Sequence, residues 1–325
     1  MRGIVLVLTM LFLMGGSIAV ANELAPIRTI LNLPENQIDL GKAKLTIDKM
    51  IDPSIDVKVN LKKIDSMVAS IQMGLFFNAS SDEKLQALRT YLYTPNQSNG
   101  QRPYQYDLSD PYGKDLRHKL LPNYLESRKG NCVSMPFLFI ILGQRLGLDV
   151  TAATAPEHIF VKYKADNGYW INLETTSGAN PARDEWLRQQ MPMTDDAITN
   201  GVYLRPLSKK EAVALMADTL IEHYMHKHQY EKAIEASDLV LEYSPKAVTA
   251  MIHKGASYAR LINERFVRKY PRPDLIPQTE RSYYTFLDQN NRLWYDKAET
   301  LGWRMPVETN NAQYNPVVER AKLTR

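Results

Sequence analysis

The stretch Asn131-Cys132-Val133-Ser134-Met135-Pro136-Phe137-Leu138-Phe139-Ile140-Ile141-Leu142-Gly143-Gln144-Arg145-Leu146-Gly147 decides the fold. From Phe137 to Leu142 it is apolar on every side of a helix, so it predicts a helix buried all round. Pro136 has no N–H to give and fits only in or near a first turn, which puts the helix start close to Cys132; Gly147 supplies the stop. Val150 to Ala155, His158 to Lys164 and Tyr169 to Thr175 then read as strands, with Ala165-Asp166-Asn167-Gly168 as a hairpin turn. A buried helix followed by an antiparallel hairpin predicts an α+β fold.

Upstream, apolar residues recur at helical spacing from Gln37 to Asn78, as in Leu40, Ala43, Leu45 and Ile47, then Ile64, Met67, Val68 and Ile71. Pro53 and Ser54 split this pattern into two helices. Ser80 and Glu83 form a capping box before a third. The passage from Thr94 to Gly113 is polar and turn-rich and reads as a long surface loop that shapes a pocket.

Downstream, a second unit is expected from residue 208. With Pro245 closing a 34-residue tetratricopeptide repeat (the length is general to that repeat, about 34), Leu220, Tyr224, Tyr230 and Ala233 fall on its large, aromatic, aromatic and small positions. A further repeat starts at Val248, with Gly255 and Tyr258 in place, but Arg265 to Pro273 interrupts its second helix. So short an array is expected to pack on the first domain or on a partner.

The chain has 325 residues, 44% hydrophobic and 23% charged, which excludes collagenous and disordered classes. A net charge of +4, from 40 basic and 36 acidic residues without a basic aromatic stripe, argues against nucleic-acid binding. Met1-Arg2, the apolar run Ile4 to Met14 and Ala19-Val20-Ala21 describe a secretory signal peptide over 1–21. The expected protein is therefore exported, periplasmic in a Gram-negative host and otherwise secreted, and has no membrane span once the signal is cleaved. It carries a single cysteine, so Cys132 makes no intramolecular disulfide. Such a thiol is either buried and inert or kept for its chemistry.

Chemistry needs partners for that thiol. Exposed N–H groups at a helix start favour a thiolate. His158 is the candidate base and Glu174 the candidate orienting carboxylate, with the Cys132 N–H as oxyanion donor. A loop centred on Asp166 would place His158 opposite Glu174, whereas a turn centred on Gly168 would place it opposite a residue near Ser177. His223, His226 and His228 lack the carboxylate or thiolate that would complete a ligand set, so no metal is expected. No phosphate loop or dinucleotide fingerprint occurs, so no cofactor is expected either. His118 and the Arg265 to Arg272 cluster read as solvated basic faces, and Trp170 as a core residue.

Arg128-Lys129-Gly130-Asn131-Cys132-Val133-Ser134-Met135, Arg145-Leu146-Gly147-Leu148, Pro156-Glu157-His158-Ile159-Phe160 and Trp170-Ile171-Asn172-Leu173-Glu174-Thr175-Thr176 together resemble the transglutaminase-like superfamily. The likeness is to its bacterial branch with C-terminal tetratricopeptide repeats. It implies a papain-like core over 22–207, the Cys-bearing helix packed on an antiparallel sheet, and an all-α region over 208–325. The family's Cys-His-Asp triad maps onto Cys132, His158 and Glu174, with Glu in place of Asp. The expected function is that of an exported cysteine hydrolase or acyltransferase acting on amide bonds of a protein or peptide. The alternative is an inert scaffold of the same architecture that binds envelope protein partners.

Overall fold

The computed structural model describes residues 23–305. The predicted signal segment lies outside the described residues. After α1 (Ala25–Leu31) come α2 (Leu40–Ile51), opened by the Asp39 carboxylate accepting from the Lys42 N–H, and α3 (Val57–Gln72), opened in the same way by Asp56. Pro53 and Ser54 separate the two helices as expected. The capping box forms at α4 (Ser81–Tyr93), where Ser80 and Glu83 each accept from the other's backbone N–H.

The passage from Thr94 to Gly113 is less loose than its composition indicates. Asn99, Tyr104 and Asp107 are buried. Asn96 and Asn99 exchange side-chain to backbone hydrogen bonds at 3.0 Å, and the Arg128 guanidinium donates to the carbonyls of Asn99 and Arg102. A two-residue strand, β1 (Gln105–Tyr106), pairs in parallel with β2 (Lys129–Gly130) beyond α5 (Leu121–Ser127). Non-local pairing of this kind leaves no periodicity in so short a strand.

The central helix α6 (Ser134–Arg145) is buried without a break from Ser134 to Gly143. It lies against a sheet of β3 (Val150–Ala155), β4 (His158–Lys164), β5 (Trp170–Glu174) and β6 (Asn180–Ala182), antiparallel in that order. Val161, Tyr163 and Leu173 join the α6 side of the core. Phe160 faces the other way, toward Leu187 of α7 (Asp184–Gln190) and Ala197 of α8 (Asp195–Thr199). Truncating a fully buried ring such as Phe137 or Phe139 to Ala would cost roughly 3–5 kcal/mol.

The remaining elements among the described residues are helical: α9 (Lys209–Met216), α10 (Asp218–His226), α11 (Tyr230–Tyr243), α12 (Val248–Ile262) and α13 (Gln278–Thr300). Leu220, Tyr224, Tyr230, Ala233 and Tyr258 are all buried. Gly255 allows close approach of α13, since a Cβ there would lie 2.9 Å from the Tyr295 ring. A π-helical turn at Asn263–Val267 and a 3-10 turn at Pro273–Leu275 occupy the predicted interruption.

These helices share the core of the first domain: Ala212, Val213 and Leu220 belong to the same apolar cluster as Leu45 and Phe137. Polar links run through two adjacent residues. Lys119 pairs with Glu222 of α10, and its carbonyl accepts from the buried Lys44 Nζ at 3.0 Å. The neighbouring His118 carbonyl accepts from Ser134 Oγ, at the start of α6, at 3.0 Å. Lys44 also pairs with Asp48, whose other oxygen accepts from the Leu121 N–H at 2.8 Å.

Candidate active site

Cys132 lies in the turn that opens α6 and is only partly covered. Asn131 shapes that turn. Its Oδ1 accepts from the backbone of Val133 at 3.0 Å and of Ser134 at 3.2 Å, and its carbonyl accepts from the Met135 N–H at 3.1 Å. Gly130 must be glycine for packing reasons, because a Cβ would come within 2.6 Å of the Tyr124 ring and 2.8 Å of Ser134 Oγ. The Cys132 N–H meets no protein acceptor among the described residues, which leaves it open toward a ligand.

His158 opens β4 and is buried. Its Nε2 lies 2.6 Å from Glu174 Oε2, and its ring also makes a side-chain hydrogen bond with Cys132. Because Nε2 is engaged by the carboxylate, Nδ1 is the nitrogen left for the sulfur. Burial works against the imidazolium, yet the Glu174 charge and the hydrogen bonds to Cys132 and Glu174 overcome it and raise the pKa to about 10. Glu174 is correspondingly lowered despite its burial, held by His158 and by Thr176. Its second oxygen accepts from Thr176 Oγ1 at 2.6 Å and from the Thr176 N–H at 3.0 Å. Every oxygen of the carboxylate is thus engaged, and its orientation is fixed.

The register follows neither direct pairing. Val161 opposes Leu173 and Lys164 opposes Trp170, so continuing the ladder would set His158 against Thr176, close to the Ser177 alternative. Glu174 nevertheless reaches the imidazole along the diagonal. Cys132, His158 and Glu174 thus lie together, by a route that the sequence left open.

Other residues at the site went unpredicted. Tyr106, on β1, lies close enough that the charges of Cys132 and Glu174 add to burial in pushing its phenol pKa up, and its hydroxyl donates to the Pro111 carbonyl. Tyr93 stands behind Glu174, with burial first and that carboxylate second raising its pKa. Asn131 and Thr176 had a readable signal, an Asx cap before a helix and a hydroxyl two residues past a carboxylate; Tyr106 had none.

Two readings are corrected. His118 does not lie on a solvated face, because its Nδ1 lies 2.9 Å from Asp110 and 3.5 Å from Asp107, in a half-buried position. Trp170 is 37% exposed at the hairpin end, beyond the reach of the core, and the Lys164 ammonium sits 5.9 Å from its ring centroid. Among the described residues no group of three His, Cys, Asp or Glu side chains is placed to hold a metal, and His228 instead meets Glu264 at 3.1 Å.

Comparison with known proteins agrees with this architecture. The Transglutaminase-like superfamily profile matches residues 59–218. A UPF0162 protein of Xylella fastidiosa strain 9a5c is 23% identical over 239 residues, 72% of this chain and 82% of the relative. A UPF0162 protein of Buchnera aphidicola from Acyrthosiphon pisum is 26% identical over 218 residues, 63% of this chain and 71% of the relative. Protein SirB1 of Salmonella typhimurium is 21% identical over 239 residues, covering 72% and 84%. No solved structure matches significantly. The profile spans the Cys-bearing helix, the sheet with His158 and Glu174, and the helices that support them, and residues 59–218 therefore form a domain of the transglutaminase-like superfamily.

Proposed function

We propose that this protein is an exported cysteine-dependent amide hydrolase or acyltransferase, with Cys132 as nucleophile, His158 as proton carrier and Glu174 as orienting carboxylate. One observation carries the reading: a single buried imidazole joins a partly open thiol on one side to a fully hydrogen-bonded carboxylate, 2.6 Å away, on the other. The thiol proton passes to His158, and the sulfur attacks the carbonyl carbon of the amide. As the tetrahedral adduct collapses, the C–N bond breaks and His158 returns the proton to the leaving amine. Water, or an amine in the transfer reaction, then gives a proton to His158 and attacks the thioester, releasing the acyl group and restoring the thiolate. The free Cys132 N–H is suited to bind the oxyanion in both steps. Hydrolysis is the favoured outcome, since transfer needs a site that excludes water and holds a second substrate. The substrate class is protein or peptide, and the helices after residue 208 act as tetratricopeptide-like supports.

The test is the rate of iodoacetamide labelling of Cys132 at pH 7 in the full chain. Labelling is expected to be fast and to drop at least about tenfold in His158→Ala. Equal, slow labelling in both proteins would leave the second reading, a non-catalytic scaffold. The feature favouring that reading is an exposed apolar row on α13, formed by Tyr283, Phe286 and Leu293.

A further inference from the structure

Ala155 and His158 form the last pair of the β3–β4 ladder, so the turn consists of Pro156 and Glu157. Glu157 has φ of 55°. After a proline, a tight turn ordinarily fills this left-handed position with glycine or asparagine, because a larger side chain is strained there. The turn also reaches the reacting atom: the Glu157 carbonyl lies 3.9 Å from Cys132 Sγ. The backbone of Glu157 therefore borders the sulfur.

The Glu157 side chain is exposed and, among the described residues, enters no hydrogen bond or ion pair. Its neighbour is Tyr203, a buried phenol whose pKa is raised by burial first and by the Glu157 charge second. The Tyr203 segment is fixed to the sheet by the Leu204 N–H donating to the Thr154 carbonyl at 3.0 Å. Glu174 has a partner in the His158 imidazole, whereas the Glu157 carboxylate has none among the described residues. An exposed, unpartnered carboxylate on the residue whose carbonyl faces the sulfur is open to a cation that arrives there.

We infer that Glu157 is a specificity residue whose carboxylate binds a cationic group, a protonated primary amine or a guanidinium, on the peptide or amine that enters beside Cys132. The inference rests on the nucleophile assigned above. It deepens that assignment by giving the substrate class a charge.

Charge-selective thiol reagents test it without a known substrate. Three methanethiosulfonates, bearing methyl, trimethylammonioethyl and sulfonatoethyl groups, are reacted with the full-length protein, whose single cysteine makes each rate specific to Cys132. Each charged-reagent rate is divided by the methyl-reagent rate on the same variant. Going from wild type to Glu157→Gln, the normalised cationic rate should fall and the normalised anionic rate should rise, changing their ratio by about tenfold at low salt and less at high salt. Glu157→Asp should keep the wild-type preference. Glu157→Gly, which relieves the turn, should lose it while gaining thermal stability. Ratios that stay the same in Glu157→Gln, or charged rates that move together, overturn the inference. A methyl-reagent rate insensitive to His158→Ala would instead overturn the nucleophile assignment, so the two failures are distinguishable.

Discussion

Glu174 and His158 are diagonal neighbours across two strands, not an opposed pair. With Val161 against Leu173, the position facing Glu174 is Phe160, and His158 is two residues further along the same face. A diagonal is longer than a direct pairing. The extra methylene that distinguishes glutamate from the aspartate usual in the resembled triad therefore has a geometric use here, and the 2.6 Å contact depends on it.

Glu174→Asp should accordingly be a damaging change, although it restores the residue usual for the family. The shorter arm withdraws from Nε2, and the His158 pKa should drop from about 10. Labelling of Cys132 at pH 7 should slow about tenfold, approaching the Glu174→Gln variant. Imidazole NMR titration and iodoacetamide kinetics measure the two effects. An aspartate variant equal to wild type in both would refute the diagonal argument.

The same pair sets a pH window for stability. His158 is raised from 6.5 to about 10, so its contribution is complete below pH 6.5 and disappears as pH climbs to about 10. Glu174 is lowered from 4.5, so its contribution is complete above pH 4.5 and disappears as pH falls through its folded value. Both are complete between 4.5 and 6.5. Thermal melts of wild type and a His158→Ala/Glu174→Ala double variant should differ most in that interval and converge toward pH 10. A difference independent of pH would count against an ionic pair.

Asp218 offers a contrasting case. It is buried with one oxygen unpartnered, and burial first, then the nearby Glu222 charge, raises its pKa from 3.8 to about 8. A raised carboxyl favours the fold while protonated, and that benefit is lost as pH rises from 3.8 to about 8. Asp218→Asn should therefore be near neutral at pH 4 and stabilising at pH 8, by on the order of 5 °C in Tm. A loss of stability at pH 8 would mean that the charged form is wanted, as a partner for Lys119.

Lys44 and Asp48 are both fully buried. Lys44→Met leaves Asp48 without its counter-ion and should cost about 3–5 kcal/mol in denaturant unfolding. The double variant Lys44→Met/Asp48→Leu should recover a good part of that cost, because no lone charge stays in the core. If the double variant were as unstable as the single one, the hydrogen bonds to Lys119 and Leu121 would be the greater contribution.

Much of this arrangement was legible in the chain because local rules agreed with one another. The apolar run ending at Leu142, the Ser80–Glu83 box and the strand–turn–strand pattern after Gly147 are all short-range signals. What escaped was non-local or diagonal. Tyr106 is carried near the site because two residues of β1 pair with β2 from beyond α5, and two residues carry no period. Trp170 was misassigned because a strand pattern does not reveal where the strand outruns the core. His118 was misassigned because its partners, Asp107 and Asp110, lie within a segment whose composition resembled an unstructured loop.

His118 and Lys119 stand side by side, and between them they hold the cysteine-bearing helix, the first large helix and the helical tail. The residue that meets α10 and the residue that meets the start of α6 are therefore separated by one peptide bond. Cutting the chain at residue 207 would strip Lys119 of Glu222 and uncover the apolar flank shared with Leu45, so the tail works as a keystone: remove it and the arch that carries Cys132 loses its thrust.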